Sequence, residues 1–204
     1  MQSMKEMSRY QARRRVAVAV IIALLFLALL FVRSAWSSGI HEYIEAFGLG
    51  FIVVAILGRM WCTLYIGGHK GAQIIRTGPY SLSRNPLYVF SSIGAFGIGC
   101  LTGSLGVAVL LAIACYVTFL FVILAEEGYL ENNFGQPYRD YKRDVPRFFP
   151  RFSGYQDVES LTVRPKMLYN TFFDGLVFFV AFPFFETIEH LQTAGFIPIL
   201  FYTY

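Results

Sequence analysis

Charge is scarce in this chain: of 204 residues, only 15% are Asp, Glu, Lys or Arg. Soluble domains carry roughly a quarter charged residues, so there are too few here to coat a water-exposed globule of this length. Cysteine is scarce too, and Cys62, Cys100 and Cys115 all lie inside apolar stretches. Their odd number and their spacing match neither a disulfide framework nor a zinc-ligand pattern. The histidines His41, His69 and His190 are scattered without metal-binding spacing and read as ordinary interfacial residues. No metal site is expected from them. Internal repeats and low-complexity segments are missing, and the hydrophobic content excludes disordered, collagen-like and acidic-tail classes. A single domain, 1–204, is expected.

What the chain has in abundance is apolar surface. Hydrophobic residues make up 56% and aromatic residues 18%, with 21 Phe and 13 Tyr, and the mean hydropathy is +0.53. The formal charge of +4 would suggest nucleic acid only if basic residues clustered on a soluble surface. They sit instead in the gaps between apolar runs, so no nucleic-acid partner is expected. Val16 to Val32 is an apolar run behind Arg13, Arg14 and Arg15. It exceeds the ~7–15 residues of a signal-peptide core and reads as a first membrane span. A second runs from about Tyr43 to Ile66. Leu87 to Leu101 and Leu105 to Ala125 form a helical hairpin about the turn Thr102-Gly103-Ser104, and Met167 to Phe185 is a further span. The tail Gly195 to Tyr204 is too short to cross alone, since a span needs ~20 residues. The fold class is therefore all-α, a polytopic transmembrane helical bundle of about five spans.

Charge orients it. Of the 17 Lys and Arg residues, only Arg33 falls outside when the N-terminus is inside, which satisfies the positive-inside rule. The loop 67–86 and the polar segment 126–166 are then both cytosolic, where they can meet. The fourth span is expected to outrun the lipid: Ile123, Glu127, Leu130 and Phe134 keep a helical period up to Gly135, a plausible stop. A helix from Leu105 to Asn133 is ~43 Å long against a hydrocarbon core of ~30 Å. Glu126 and Glu127 then sit where the helix leaves the membrane. On the third span Ser91, Ala95, Gly99 and Gly103 recur every four residues, a small-residue stripe that favours close helix packing.

Two segments carry the candidate chemistry. The first is Gly78-Pro79-Tyr80-Ser81-Leu82-Ser83-Arg84-Asn85-Pro86-Leu87-Tyr88. Its prolines fix the backbone, Arg84 supplies a charge, and exposed amides at the helix start favour an anion. The bland alternative is a re-entry loop with a snorkelling arginine. The second is Glu126-Glu127, then Leu130, Phe134-Gly135, Tyr138, Tyr141, Val145-Pro146 and Phe149-Pro150. Carboxylates at a membrane boundary need solvation or partners, and salt bridges to Arg139 and Lys142 are the bland alternative. Tyr138 and Tyr141 read as interface anchors, and the basic run Arg139 to Arg151 as topogenic, with anionic lipid headgroups as an electrostatic partner.

These segments, in this order and around a helical hairpin, resemble the superfamily of isoprenylcysteine carboxyl methyltransferases and phospholipid methyltransferases. The likeness covers roughly 73–150 and rests on Gly78-Pro79-Tyr80, on Arg84 through Tyr88, and on the Glu-Glu to Val-Pro pattern. It implies an integral membrane enzyme that binds S-adenosylmethionine at the cytosolic helix ends and methylates a lipid or small lipophilic acceptor. By position, cofactor contacts fall on Gln73, Ile74, Ile75, Tyr80, Asn85, Pro86, Leu87, Tyr88 and Glu126, with Glu127 and Arg84 as the catalytic candidates. In that reading Glu126 holds the cofactor ammonium, Arg84 and backbone amides receive its carboxylate, and Ile74, Ile75 and Leu87 line the adenine pocket. Glu127 orients the acceptor or takes its proton. The chain departs from the family pattern at Ala72 and Asn85, where His is common, at Phe90, where Gly is common, and at Val122, where prenylcysteine enzymes carry Arg. Without that arginine, a prenylcysteine carboxylate is not the expected acceptor. The competing readings are an NADPH-dependent membrane sterol or steroid reductase and a non-catalytic membrane scaffold.

Overall fold

The structure, a computed structural model, describes residues 26–67 and 73–204. Most of the first expected span, 16–25, lies outside the described residues, as does Ala72. The element order is β1 (Val32–Ser34), α1 (Ser38–Ile66), α2 (Pro79–Leu82), α3 (Pro86–Cys100), α4 (Leu105–Phe134), α5 (Gln136–Asp144), α6 (Pro165–Leu176), α7 (Ala181–Thr193) and β2 (Phe201–Thr203). Single 3-10 turns occupy Phe152–Gly154 and Val177–Val180. The chain is thus an all-α bundle, and α1, α4 and the continuous stretch Pro165–Thr193 are each long and apolar enough to cross a membrane. Their outer faces expose Leu57, Leu110, Phe121, Leu124 and Phe173, an apolar surface suited to lipid.

Helix ends follow local chemistry. The Ser104 hydroxyl accepts the backbone N–H of Val107 at 3.2 Å and caps α4. At the other end Gly135, at φ 59°, takes a positive-φ backbone conformation that favours glycine and stops the helix after Phe134. The last span tightens into its 3-10 turn just ahead of Pro183, whose missing N–H and bulky ring disturb the preceding carbonyls. Packing depends on small residues. A Cβ on Gly48 would meet Cys100 Cβ and the Gly97 carbonyl at 2.7 Å, so α1 and α3 touch backbone to backbone. Gly99 of the expected stripe serves the other side, against Ala108 of α4.

α3 is short. Its 15 residues rise only about 22 Å, less than the ~30 Å hydrocarbon core. Antiparallel to it, α4 has 30 residues, about 45 Å at the same rise. With the two joined at residues 101–104, Tyr88 meets Phe119 at 4.6 Å between ring centres, and α4 continues four further turns. The start of α3 therefore lies below the end of α4, and a recess opens beneath the emergent half of that helix.

At the opposite end of the bundle, β1 and β2 pair in parallel with Val32 opposite Phe201. The tail does not cross the membrane: the Tyr204 carbonyl accepts from the Ser104 hydroxyl and the Gly106 amide, both at 2.8 Å. His41, read as an isolated interfacial residue, lies instead between Glu45 and Glu189.

Candidate functional site

The recess at the start of α3 brings the two motif segments together. Gly78, at φ 58°, leaves room for the Tyr65 ring, whose carbons lie 2.3 Å from where a Cβ would stand. Pro79 and Pro86 open α2 and α3, where a missing N–H costs nothing. The segment 142–157 folds back over this loop as a clasp. Gly78 N donates to Gln156 O at 2.7 Å, Arg84 N to Pro146 O at 2.9 Å, and Arg151 N to Leu82 O at 3.0 Å. The Tyr141 hydroxyl adds a bond to the Tyr80 carbonyl at 2.7 Å, and Arg76 pairs with Asp144 at 2.7 Å, holding that carboxyl below its usual range.

Arg84 and Glu127 form the centre of this construction. Arg84 reaches Glu127 Oε1 through Nε at 3.0 Å and Nη2 at 2.9 Å. Its Nη1 donates to the carbonyls of Lys142 and Val145, both at 2.7 Å. Arg147 grips the other carboxylate oxygen through Nη2 at 2.9 Å and Nε at 3.1 Å, and the carboxylate raises the Arg147 guanidinium above its usual value. One carboxylate thus joins the loop, α4 and the clasp. The expected partners Arg139 and Lys142 bind Glu131 instead. Both catalytic candidates are thus held by protein partners while still bordering the adjoining cavity. Arg147 was not picked out from the sequence, where it looked like one more topogenic charge.

Around the ion pair lies a cavity of about 710 Å³, well sized for a small-molecule site. Ile74, Ile75 and Leu87 give it apolar walls, and Gln73, Tyr80, Asn85, Tyr88 and Glu126 give it polar ones. Arg84 and Glu127 also border it; Pro86 does not, and acts by starting α3. The Tyr88 hydroxyl donates to Glu126 Oε2 at 3.2 Å. The Tyr80 hydroxyl is buried without a hydrogen-bond partner, and burial pushes it well above the ordinary phenol value. It is a protonated donor awaiting an acceptor.

Tyr138 and Tyr141, expected at the membrane interface, are buried against Val145 and line the cavity. Burial pushes Tyr138 up to about 12, with the nearby Glu127 adding to the effect. Arg59 of α1 also borders the cavity. It donates to Ser91 Oγ at 2.5 Å, stacks on Phe178 at 5.8 Å and leaves its buried Nε without a partner. Among the described residues no carboxylate pairs with it. Val122, the position that argued against a prenylcysteine carboxylate, is absent from the lining, and the cavity's cations, Arg59 and Arg84, come from other elements. Thirty-two residues separate Arg59 from Ser91, so only the folded packing shows this.

Residues 46–137 match the family description "Phospholipid methyltransferase". The cobalt-zinc-cadmium resistance protein CzcN of Cupriavidus metallidurans is 32% identical over 94% of this chain and 89% of its own length. The nickel-cobalt-cadmium resistance protein NccN of Alcaligenes xylosoxydans xylosoxydans is 31% identical over 93% of this chain and 89% of its own length. Protein-S-isoprenylcysteine O-methyltransferase of Schizosaccharomyces pombe is 32% identical over 40% of this chain and 35% of its own length. No solved structure matches.

Proposed function

The chain belongs to the superfamily of integral membrane methyltransferases represented by the phospholipid and isoprenylcysteine enzymes, and from that premise we propose that it methylates a lipid or small lipophilic acceptor with S-adenosylmethionine as donor. The observation that carries this reading is the convergence of both motif segments on one cavity. The cofactor supplies a methyl group already activated on a sulfonium sulfur, so the protein's task is alignment and exclusion of water. Glu126, its rotamer steadied by Tyr88, holds the ammonium of the methionine moiety. Ile74, Ile75 and Leu87 enclose the adenine, with the Tyr80 hydroxyl and the side chains of Gln73 and Asn85 as polar contacts.

Arg59 takes an anionic group of the acceptor. Its partner Ser91 lies three residues further along α3 than Tyr88, about 4.5 Å deeper into the bundle than the Glu126 contact. A cation in such a place calls for a functional partner. Arg84 and Glu127 serve as positioning residues: Glu127, bound by two guanidiniums, keeps the loop and clasp in register. The Lys and Arg distribution supports a cytosolic cavity, where an inner-leaflet lipid would have lateral access. The two relatives that match nearly the full chain are metal-resistance proteins, and we assign the methylation to that physiological setting.

Thermal protection of the purified protein tests the reading. S-adenosylmethionine is expected to raise the melting temperature and to pass label into total membrane lipid. Protection by NADPH would instead establish the reductase, and protection by neither a scaffold.

A further inference from the structure

We propose that His41, Glu45 and Glu189 form a binding site for a divalent transition-metal ion at the end of the bundle opposite the methyl-transfer cavity. His41 and Glu45 lie one turn apart on the same face of α1, and α7 brings Glu189 against them. His41 Nε2 is 3.2 Å from Glu45 Oε1 and 3.3 Å from Glu189 Oε2. It is buried, yet it makes no well-directed hydrogen bond to either carboxylate. Around a tetrahedral ion with bonds of about 2.0–2.1 Å, adjacent donor atoms are about 3.3–3.4 Å apart. Both nitrogen–oxygen edges lie within about 0.2 Å of that length, and all three donor atoms fall within 4.8 Å of one another.

The surroundings suit an ion. Glu45 is buried, and with a neutral imidazole the three side chains carry two negative charges, which a divalent cation balances. Arg33 lies 3.7 Å from Glu189 Oε1, the oxygen that does not face His41. It therefore orients the carboxylate and leaves Oε2 for the metal. Gly103 closes over the imidazole, where a Cβ would come within 2.0 Å of Nδ1, and this fixes the ring. A cavity of about 30 Å³ bordered by His41, Glu189, Ser34, Thr102 and Gln192 adjoins the donors. It has room for a water in the fourth position. One imidazole with two carboxylates selects Zn²⁺, Co²⁺ or Ni²⁺ over Mg²⁺ or Ca²⁺. His41 precedes Arg59 by eighteen residues on α1, about 27 Å along the helix, so the ion plays no part in the transfer chemistry. It would clamp α1 to α7 instead.

The test uses the full chain in detergent, stripped with a chelator and titrated with Co²⁺. Calorimetry and ligand-field absorption are expected to show one ion per chain, displaced by Zn²⁺ and raising the melting temperature. Glu189→Gln and His41→Gln should each weaken binding by about tenfold or more, while His190→Gln should not. Because Glu189 is 39% exposed, its variant keeps the fold, as circular dichroism would verify. Absence of Co²⁺ binding in the parent protein, or binding unchanged in both variants, would overturn the site.

Discussion

Replacing Glu127 by Gln separates a positioning role from a proton-accepting one. The Glu127 and Arg84 side chains are only 6% and 7% exposed, so removing the carboxylate leaves a buried guanidinium without its counterion. Such a loss costs about 3–5 kcal/mol. Arg147 is 40% exposed and rehydrates, which adds at most about 1 kcal/mol. For a chain of this length each kcal/mol shifts the melting temperature by roughly 2–4 °C, so a fall of roughly 6–24 °C is expected in detergent. Removing both charges with Arg84→Met and Glu127→Met should cost less than the sum of the single changes. Recovery should stop short of the parent, because Arg84 Nη1 also satisfies the carbonyls of Lys142 and Val145, and each orphaned buried acceptor costs about 1–3 kcal/mol. A double-mutant cycle on melting temperature and detergent unfolding measures the coupling. Additive effects would refute the argument. So would a Glu127→Gln protein that melts normally but has lost turnover, which would make Glu127 the proton acceptor.

Glu126→Gln should weaken S-adenosylmethionine by about ten- to a hundredfold, from a charge-assisted contact of roughly 1.5–3 kcal/mol; calorimetry with unchanged affinity in a folded variant would end the assignment. Arg59→Met should raise the acceptor KM by about tenfold or more with cofactor affinity intact, read by varying each substrate in turn. Single cysteines at the exposed positions Gln136 and Glu159, in a background without native cysteines, should label from the cytosolic side alone; labelling from outside would invert the bundle.

Most of the scaffold could be read locally, because it is decided locally. The end of α4 was expected near Asn133 and falls at Phe134, since a helical period followed by glycine depends on neighbouring residues only. The polar walls were legible for a related reason: the loop before α3 and the two glutamates are separated by a hairpin whose turn, 102–104, is written in the sequence. What escaped was every contact between charges distant in sequence. Arg84 meets Glu127 across 43 positions and Arg147 meets it across 20, and no helical spacing relates them. The tyrosines failed for a different reason. An aromatic pair beside basic residues fits an interfacial belt as well as a core, and only the folding of α5 against Ile74, Leu130, Phe134 and the Tyr80 carbonyl buries Tyr138 and Tyr141.

The shortness of α3 connects the fold to the proposed chemistry. A polar cofactor reaches the protein from water and a lipophilic acceptor from the bilayer, so their shared site must border both. A helix spanning the full hydrocarbon thickness would place its starting loop in the headgroup zone, accessible to water alone. With 15 residues, α3 begins several ångströms short of that level, and α4 continues past it to Phe134. Glu126, Arg59 and Phe119 all line the cavity, and the proposed chemistry assigns Glu126 to its watery end and Arg59 to the lipid side. The cost is that the loop's charges are drawn below the surface, and the Arg84–Glu127–Arg147 cluster offsets it by satisfying them internally. A longer α3 would need no such cluster, which accounts for the two motifs occurring together: one lowers the loop, and the other neutralises what the lowering buries.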